Sequence, residues 1–119
     1  MRRAVSLQPH SPLVRYSLST LLREQGSLAD AASEFRRTLR LLDALQQPGD
    51  PHAEERRLAQ LEGPLFGLAQ VLRRLGSVDE ANRALARFHQ VSDRRNRLRR
   101  LRVRAAKLPD HRAVGRQAR

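Results

Sequence analysis

Along most of the chain, apolar residues return every three or four positions. Leu18, Leu21 and Leu22 lie at that spacing, as do Phe35, Leu39, Leu42 and Leu45, then Leu58, Leu61, Leu65, Leu68, Leu72 and Leu75. The last series runs Leu85, Phe88, Val91, Leu98, Leu101, Ala105 and Leu108, interrupted by Arg95. An α-helix turns once in about 3.6 residues, so each series gathers its apolar side chains on one helix face. Sustained alternation of apolar and polar positions, which would mark a half-buried strand, is missing. The pattern predicts an all-α protein.

Start and stop residues divide the pattern into helices. Ser11 is placed to cap a helix whose first position is Pro12, where a missing N–H costs nothing. Gly26 ends that helix, because glycine adopts the left-handed conformation after a last turn at little cost. Ser27-Leu28-Ala29-Asp30 then reads as a capping box, and so does Ser77-Val78-Asp79-Glu80 after Gly76. The second helix is expected to reach about Gln46, with residues 47–50 as a loop in which Asp50 caps a helix starting at Pro51. That third helix should run to Leu75. Pro64 has no N–H to give to Gln60, so the helix either kinks near Gly63-Pro64 or breaks there. A last helix is expected from Val78 to Lys107, apolar stripe inward and arginines outward, with Pro109 stopping it and residues 109–119 disordered.

The chain also repeats itself. Superposing Gly26 on Gly76 pairs Tyr16 with Phe66, Leu18 with Leu68, Ser19 with Ala69, Leu22 with Leu72 and Arg23 with Arg73. Beyond the glycines, Ser27 falls on Ser77, Asp30 on Glu80, Ala31 on Ala81 and Phe35 on Leu85. Each copy reads as helix, short turn, helix. Ser19, Ala69, Ala31 and Ala81 are small where two helix axes joined by so short a turn must come closest, and Phe35 and Leu85 fill the space where they diverge.

Leu18-Ser19, Leu22, Gly26, Ala31 and Phe35, matched by Leu68-Ala69, Leu72, Gly76, Ala81 and Leu85, resemble the tetratricopeptide repeat, in a protein of bacterial type or the C-terminal part of one. Ala4, Val5, Leu7 and Pro9 lie one 34-residue period before Thr38, Leu39, Leu41 and Asp43, so residues 1–10 look like the remnant of a preceding repeat helix. Two departures stand out. The offset between copies is 50 residues where the family's is about 34, and Asp43 stands where a closing proline is usual. The resemblance implies an α-solenoid of two antiparallel helical hairpins with elongated helices. The first hairpin would be residues 11–46, the second residues 51–92 with an N-terminally extended helix, and residues 93–108 a basic capping extension.

Composition adds three points. Apolar residues make up 39% but aromatics only 3%, which suits helix packing through Leu and Ala better than a β-sandwich. There is no cysteine, hence no disulfide or thiolate metal site, and no apolar run of the length a membrane span needs. Without a signal-peptide pattern after Met1, a cytoplasmic location is expected. The net charge of +12 is uneven. Residues 83–119 hold thirteen Arg and Lys against Asp93 and Asp110, while the remainder is nearly balanced. All the basic residues but Lys107 are arginine, a side chain suited to phosphate and carboxylate, although GC-rich coding yields the same bias.

Tetratricopeptide stacks hold extended peptides or partner helices on the face made by the first helix of each hairpin. The matching positions here are Leu13, Tyr16, Thr20 and Arg23, then Gly63, Phe66, Gln70, Arg73 and Arg74. A ring beside a guanidinium would suit an apolar side chain next to a carboxylate; equally, Tyr16 and Phe66 would pack between repeats. The carboxylate clamp of chaperone-binding members is not expected, since Tyr16, Thr20 and Phe66 are not its residue types. A second candidate is the series Arg94, Arg95, Arg97, Arg99, Arg100, Arg102 and Arg104, either a solvated cap face or a contact for nucleic acid or another polyanion. No aromatic residue is interleaved there to stack on bases. His10, His52, His89 and His111 lack metal-ligand spacing, and Glu54-Glu55 beside Arg56-Arg57 reads as a solvent face. No phosphate loop or catalytic set is present, so neither cofactor nor enzymatic activity is expected. The expected partner is a protein or peptide of unspecified identity.

Overall fold

The computed structural model describes residues 11–45 and 49–107, and all that follows concerns those residues. They form four helices and no strand: α1 is Pro12–Glu24, α2 Leu28–Ala44, α3 Pro51–Leu75 and α4 Val78–Lys107. The protein is all-α, as the apolar spacing predicts.

The helix ends follow the chemistry of their residues. Ser11 is extended and its Oγ accepts the Val14 N–H at 3.4 Å, with Pro12 at the first helical position. Gly26 has φ +81°; Gly26 N–H donates to the Arg23 carbonyl at 3.0 Å and Ser27 N–H to the Leu22 carbonyl at 2.9 Å. This paired closure satisfies carbonyls that the last turn leaves without partners. It recurs fifty residues on: Gly76 has φ +84°, with Gly76 N–H to Arg73 at 3.1 Å and Ser77 N–H to Leu72 at 2.9 Å. The internal match is therefore duplicated in backbone geometry as well as in sequence.

One expectation fails at the first of these turns. The Ser27 hydroxyl makes no capping hydrogen bond. Leu28 N–H instead donates to the Gly26 carbonyl at 2.9 Å, fixing Ser27 at φ −80°, ψ 70°, an inverse γ-turn. The two residues whose side chains do cap, Ser11 and Asp50, have ψ 117° and 168°. Helix α2 also ends slightly early, at Ala44 with Leu45 following. Asp50 behaves as anticipated: its carboxylate accepts the Ala53 N–H at 2.7 Å, and Pro51 opens α3. That helix runs unbroken through Gly63 and a buried Pro64, so the alternative of a break there is excluded. The expectations for residues 1–10, for residues 46–48 of the second helix end and loop, and from Leu108 onward, Pro109 and the disordered tail included, lie outside the described residues.

Helix α3 is central, packed against α2 on one side and α4 on the other, while α1 lies against α2 and touches α3 more lightly. The small residues are where the repeat put them: Ser19, Ala31, Ala69 and Ala81 are all buried. Phe35 is fully buried, a burial worth about 2–3 kcal/mol, and its ring lies against Gly67 of α3. Ser19 and Thr38 donate to the carbonyls four residues earlier, which lets hydroxyls occupy the core. Glu34, also buried, is held by Arg15 at 3.0 Å and Arg37 at 2.7 Å. These residues extend over 66 × 34 × 22 Å.

The last helix corrects two expectations. Its arginines do not all face outward: Arg94 pairs with Glu54 at 2.9 Å, Arg102 with Glu55 at 3.0 Å, and Arg95 with Glu62, which also accepts from Ser92. Glu54 and Glu55 are thus partners of α4, not a solvent face. The apolar stripe also stops sooner than its spacing suggests, since Leu101 is 61% exposed and every residue from 101 to 107 is exposed. The reason is length. Helix α4 has 30 residues against the 25 of α3, and its last seven are all exposed, so its end outruns its neighbour.

Candidate functional site

The positions singled out on the two first helices lie together, on the side where α1 meets α3. The Tyr16 ring tip sits against Gly63, so close that a Cβ there would lie 2.7 Å from the hydroxyl oxygen. Farther along, Arg23 donates to the Gln70 side-chain oxygen at 3.1 Å, and its guanidinium stands 5.9 Å from the Phe35 ring centre. These contacts hold α1 to α3 at two places, one near each end of α1. Leu13 is 73% exposed at the outer edge of this face.

Two recesses flank the contacts. One, of about 220 Å³, is apolar; Leu13, Tyr16, Leu42, Ala59 and Pro64 contribute to its walls. The other, wider and shallower at about 600 Å³, is bordered by Arg23, Glu24, Gln70, Arg73 and Arg74 near the C-terminal ends of α1 and α3. Arg73 and Arg74 are exposed and, among the described residues, form no ion pair. Part of their role is local, since cations in the last turn offset the partial negative charge of a helix C-terminus. The face thus offers an apolar trough at one end and three guanidinium groups at the other.

Not every chosen residue serves that face. Thr20 spends its hydroxyl on the Tyr16 carbonyl at 3.0 Å. Phe66 turns toward α4, its ring 5.3 Å from that of Phe88, and remains 44% exposed. Tyr16 likewise packs between helices, with its ring 6.1 Å from that of Phe35. For both rings, structural packing between helices is what the geometry displays. Sequence reasoning missed Leu42 and Pro64 as walls of the apolar recess. Their signal, apolar residues on faces that meet only through α2 and α3, depends on how three helices sit together. His89 is exposed with its ring edge against Phe88.

The arginine series of α4 divides into two sets. Arg94, Arg95 and Arg102 are engaged with α3 carboxylates, while Arg97, Arg99, Arg100 and Arg104 are exposed without an ion pair among the described residues. Hydrogen bonds from Arg102 hold the Glu55 carboxyl below its ordinary value and raise the Arg102 guanidinium in turn. Among the described residues no three His, Asp or Glu side chains come together as a metal-binding group, and no helix is long and apolar enough to cross a membrane. No protein-family model, curated protein or solved structure matches the chain.

Proposed function

We propose that this chain is a tetratricopeptide-like scaffold that holds a protein or peptide partner on the face shared by α1 and α3, and that it catalyses no reaction. In this reading α1 with α2, and α3 with α4, are two antiparallel hairpins with elongated arms, stacked as an α-solenoid and closed by the basic end of α4. The observation that carries it is the duplicated glycine turn. Two stops with φ within a few degrees of each other and the same pairs of closing hydrogen bonds stand fifty residues apart. The ion pair between Arg15 on α1 and Glu34 on α2 agrees with a chain that doubles back at the first turn. The partner's apolar side chain would enter the recess beside Leu13 and its acidic group would meet Arg73 and Arg74.

Leu13, Arg73 and Arg74 make the sharper test, because they are exposed and hold no helix in place, unlike Tyr16, Arg23 and Phe66. A photo-crosslinking residue at position 13 or 73 should capture the partner, and one at position 40, exposed on α2, should not. The triple variant Leu13→Asp, Arg73→Ala, Arg74→Ala should reduce capture at least about tenfold, the equivalent of 1.4 kcal/mol, with helicity unchanged. Undiminished capture would remove the assignment of this face.

A further inference from the structure

The overhanging end of α4 points to a second site, separate from the α1–α3 face. We infer that Arg97, Arg100, Arg104 and Lys107, with Arg99 at the margin, form a sequence-independent binding stripe for double-stranded nucleic acid.

Some arginines of α4 are already taken. Residues 95, 98 and 102 recur at helical spacing on the side of α4 that faces α3, and there Arg95 and Arg102 are paired with Glu62 and Glu55. Residues 97, 100, 104 and 107 recur at the same spacing on the opposite side. All four are exposed and no carboxylate answers them among the described residues. Among the described residues the acid nearest in sequence, Asp93, stands one turn before Arg97 and forms no ion pair with it. Four cations in single file on the side of α4 turned away from α3 are exposed and available to a polyanion.

Geometry favours a duplex. From residue 97 to residue 107 the stripe is about 15 Å long at 1.5 Å per residue. One strand of B-DNA presents about four phosphates over that length, at 3.4 Å each. A helix about 10–12 Å across also fits a major groove about 12 Å wide. Among the described residues nothing covers α4 from Val103 to Lys107, the part that would enter. No aromatic ring lies on α4 beyond His89, so the stripe offers a base no stacking surface and single strands gain little. A bilayer is disfavoured because the exposed Leu101 and Val103 are two residues apart, about 200° around the helix, and make no common apolar face.

Fluorescence anisotropy with a labelled 24-base-pair duplex of arbitrary sequence, read from 50 to 200 mM salt on the full chain, tests this. Replacing Arg97, Arg100, Arg104 and Lys107 together by Gln should make the log–log salt dependence shallower by about 3.6, at about 0.9 per phosphate contact. Binding at the low-salt end should fall on the order of 100-fold. Arg94→Gln, which removes a guanidinium already engaged with Glu54, should change the slope by less than about one. The corresponding Lys replacements at 97, 100 and 104 keep the charge and should keep the slope, which separates lost charge from lost fold. Three results would each overturn the proposal: an unchanged slope in the Gln variant, an equal loss from Arg94→Gln, or tighter binding to phosphatidylserine vesicles or polyglutamate than to the duplex.

Discussion

At the scale of single residues, two glycine pairs behave differently although all four glycines look alike in the sequence. Gly26 and Gly76 are needed for conformation alone: both have positive φ and open space around them. Alanine at either should cost about 1–2 kcal/mol, and nearly the same at both, measured by urea unfolding. Gly63 and Gly67 sit inside α3, where alanine would ordinarily gain about 1 kcal/mol. At Gly67 the new Cβ would stand 2.5 Å from the Phe35 ring, which is buried and cannot yield. Overpacking of about 1–3 kcal/mol should outweigh the gain, so Gly67→Ala destabilises. At Gly63 the obstacle is the tip of Tyr16, whose shift would loosen one contact between α1 and α3 and offset the helix gain, so Gly63→Ala should stay within about 1 kcal/mol of neutral. The turn glycines were legible because a left-handed stop has a local signature. The helical ones were not, because their reason is a ring on another helix. Ser27 shows the reverse error, a correct capping pattern defeated by one γ-turn hydrogen bond.

At the scale of elements, periodicity together with start and stop residues placed α3 from Pro51 to Leu75 and the start of α4 at Val78. What periodicity could not show was where α4 loses its neighbour, because helix length is local but overlap is not. Hydrogen exchange should display the boundary: amides around Ala81 to Val91 well protected, and those from Val103 to Lys107 exchanging at least about tenfold faster, reflecting local opening. Nor could it show that α3 carboxylates take up α4 arginines. Two acids at the start of α3, the capping Asp50 and Glu55, report on that helix by titration. Asp50 lies below its ordinary value chiefly because it accepts the Ala53 N–H, and Glu55 chiefly because it accepts from Arg102. A carboxyl with a lowered folded pKa adds stability that is complete above the unfolded values of 3.8 and 4.5 and is lost as pH falls through the folded ones. The melting temperature should therefore drop as pH is lowered from about 5, and less steeply for Glu55→Gln than for the parent.

At the scale of the whole molecule, the radius of gyration of 18.7 Å is well above the roughly 13 Å of a compact domain this size. Small-angle scattering should return at least that value. The same layout gives the molecule unequal edges. Along α3 the helices are held chiefly by buried Leu, Ala and Phe, contacts that salt does not weaken, with ion pairs to α4 beside them. Across the back, no Cα of α2 lies within 8 Å of one of α4, and the two are joined by ion pairs: Arg36 grips Glu80 through two hydrogen bonds at 2.8 and 2.9 Å, and Arg87 meets Asp43 at 2.6 Å. In elastic terms this is a strip with one stiff edge and one soft edge whose spring constant is electrostatic. With the Debye length shortened from about 10 Å at 0.1 M salt to about 3 Å at 1 M, the soft edge slackens first. Curvature is then a property that ionic strength adjusts.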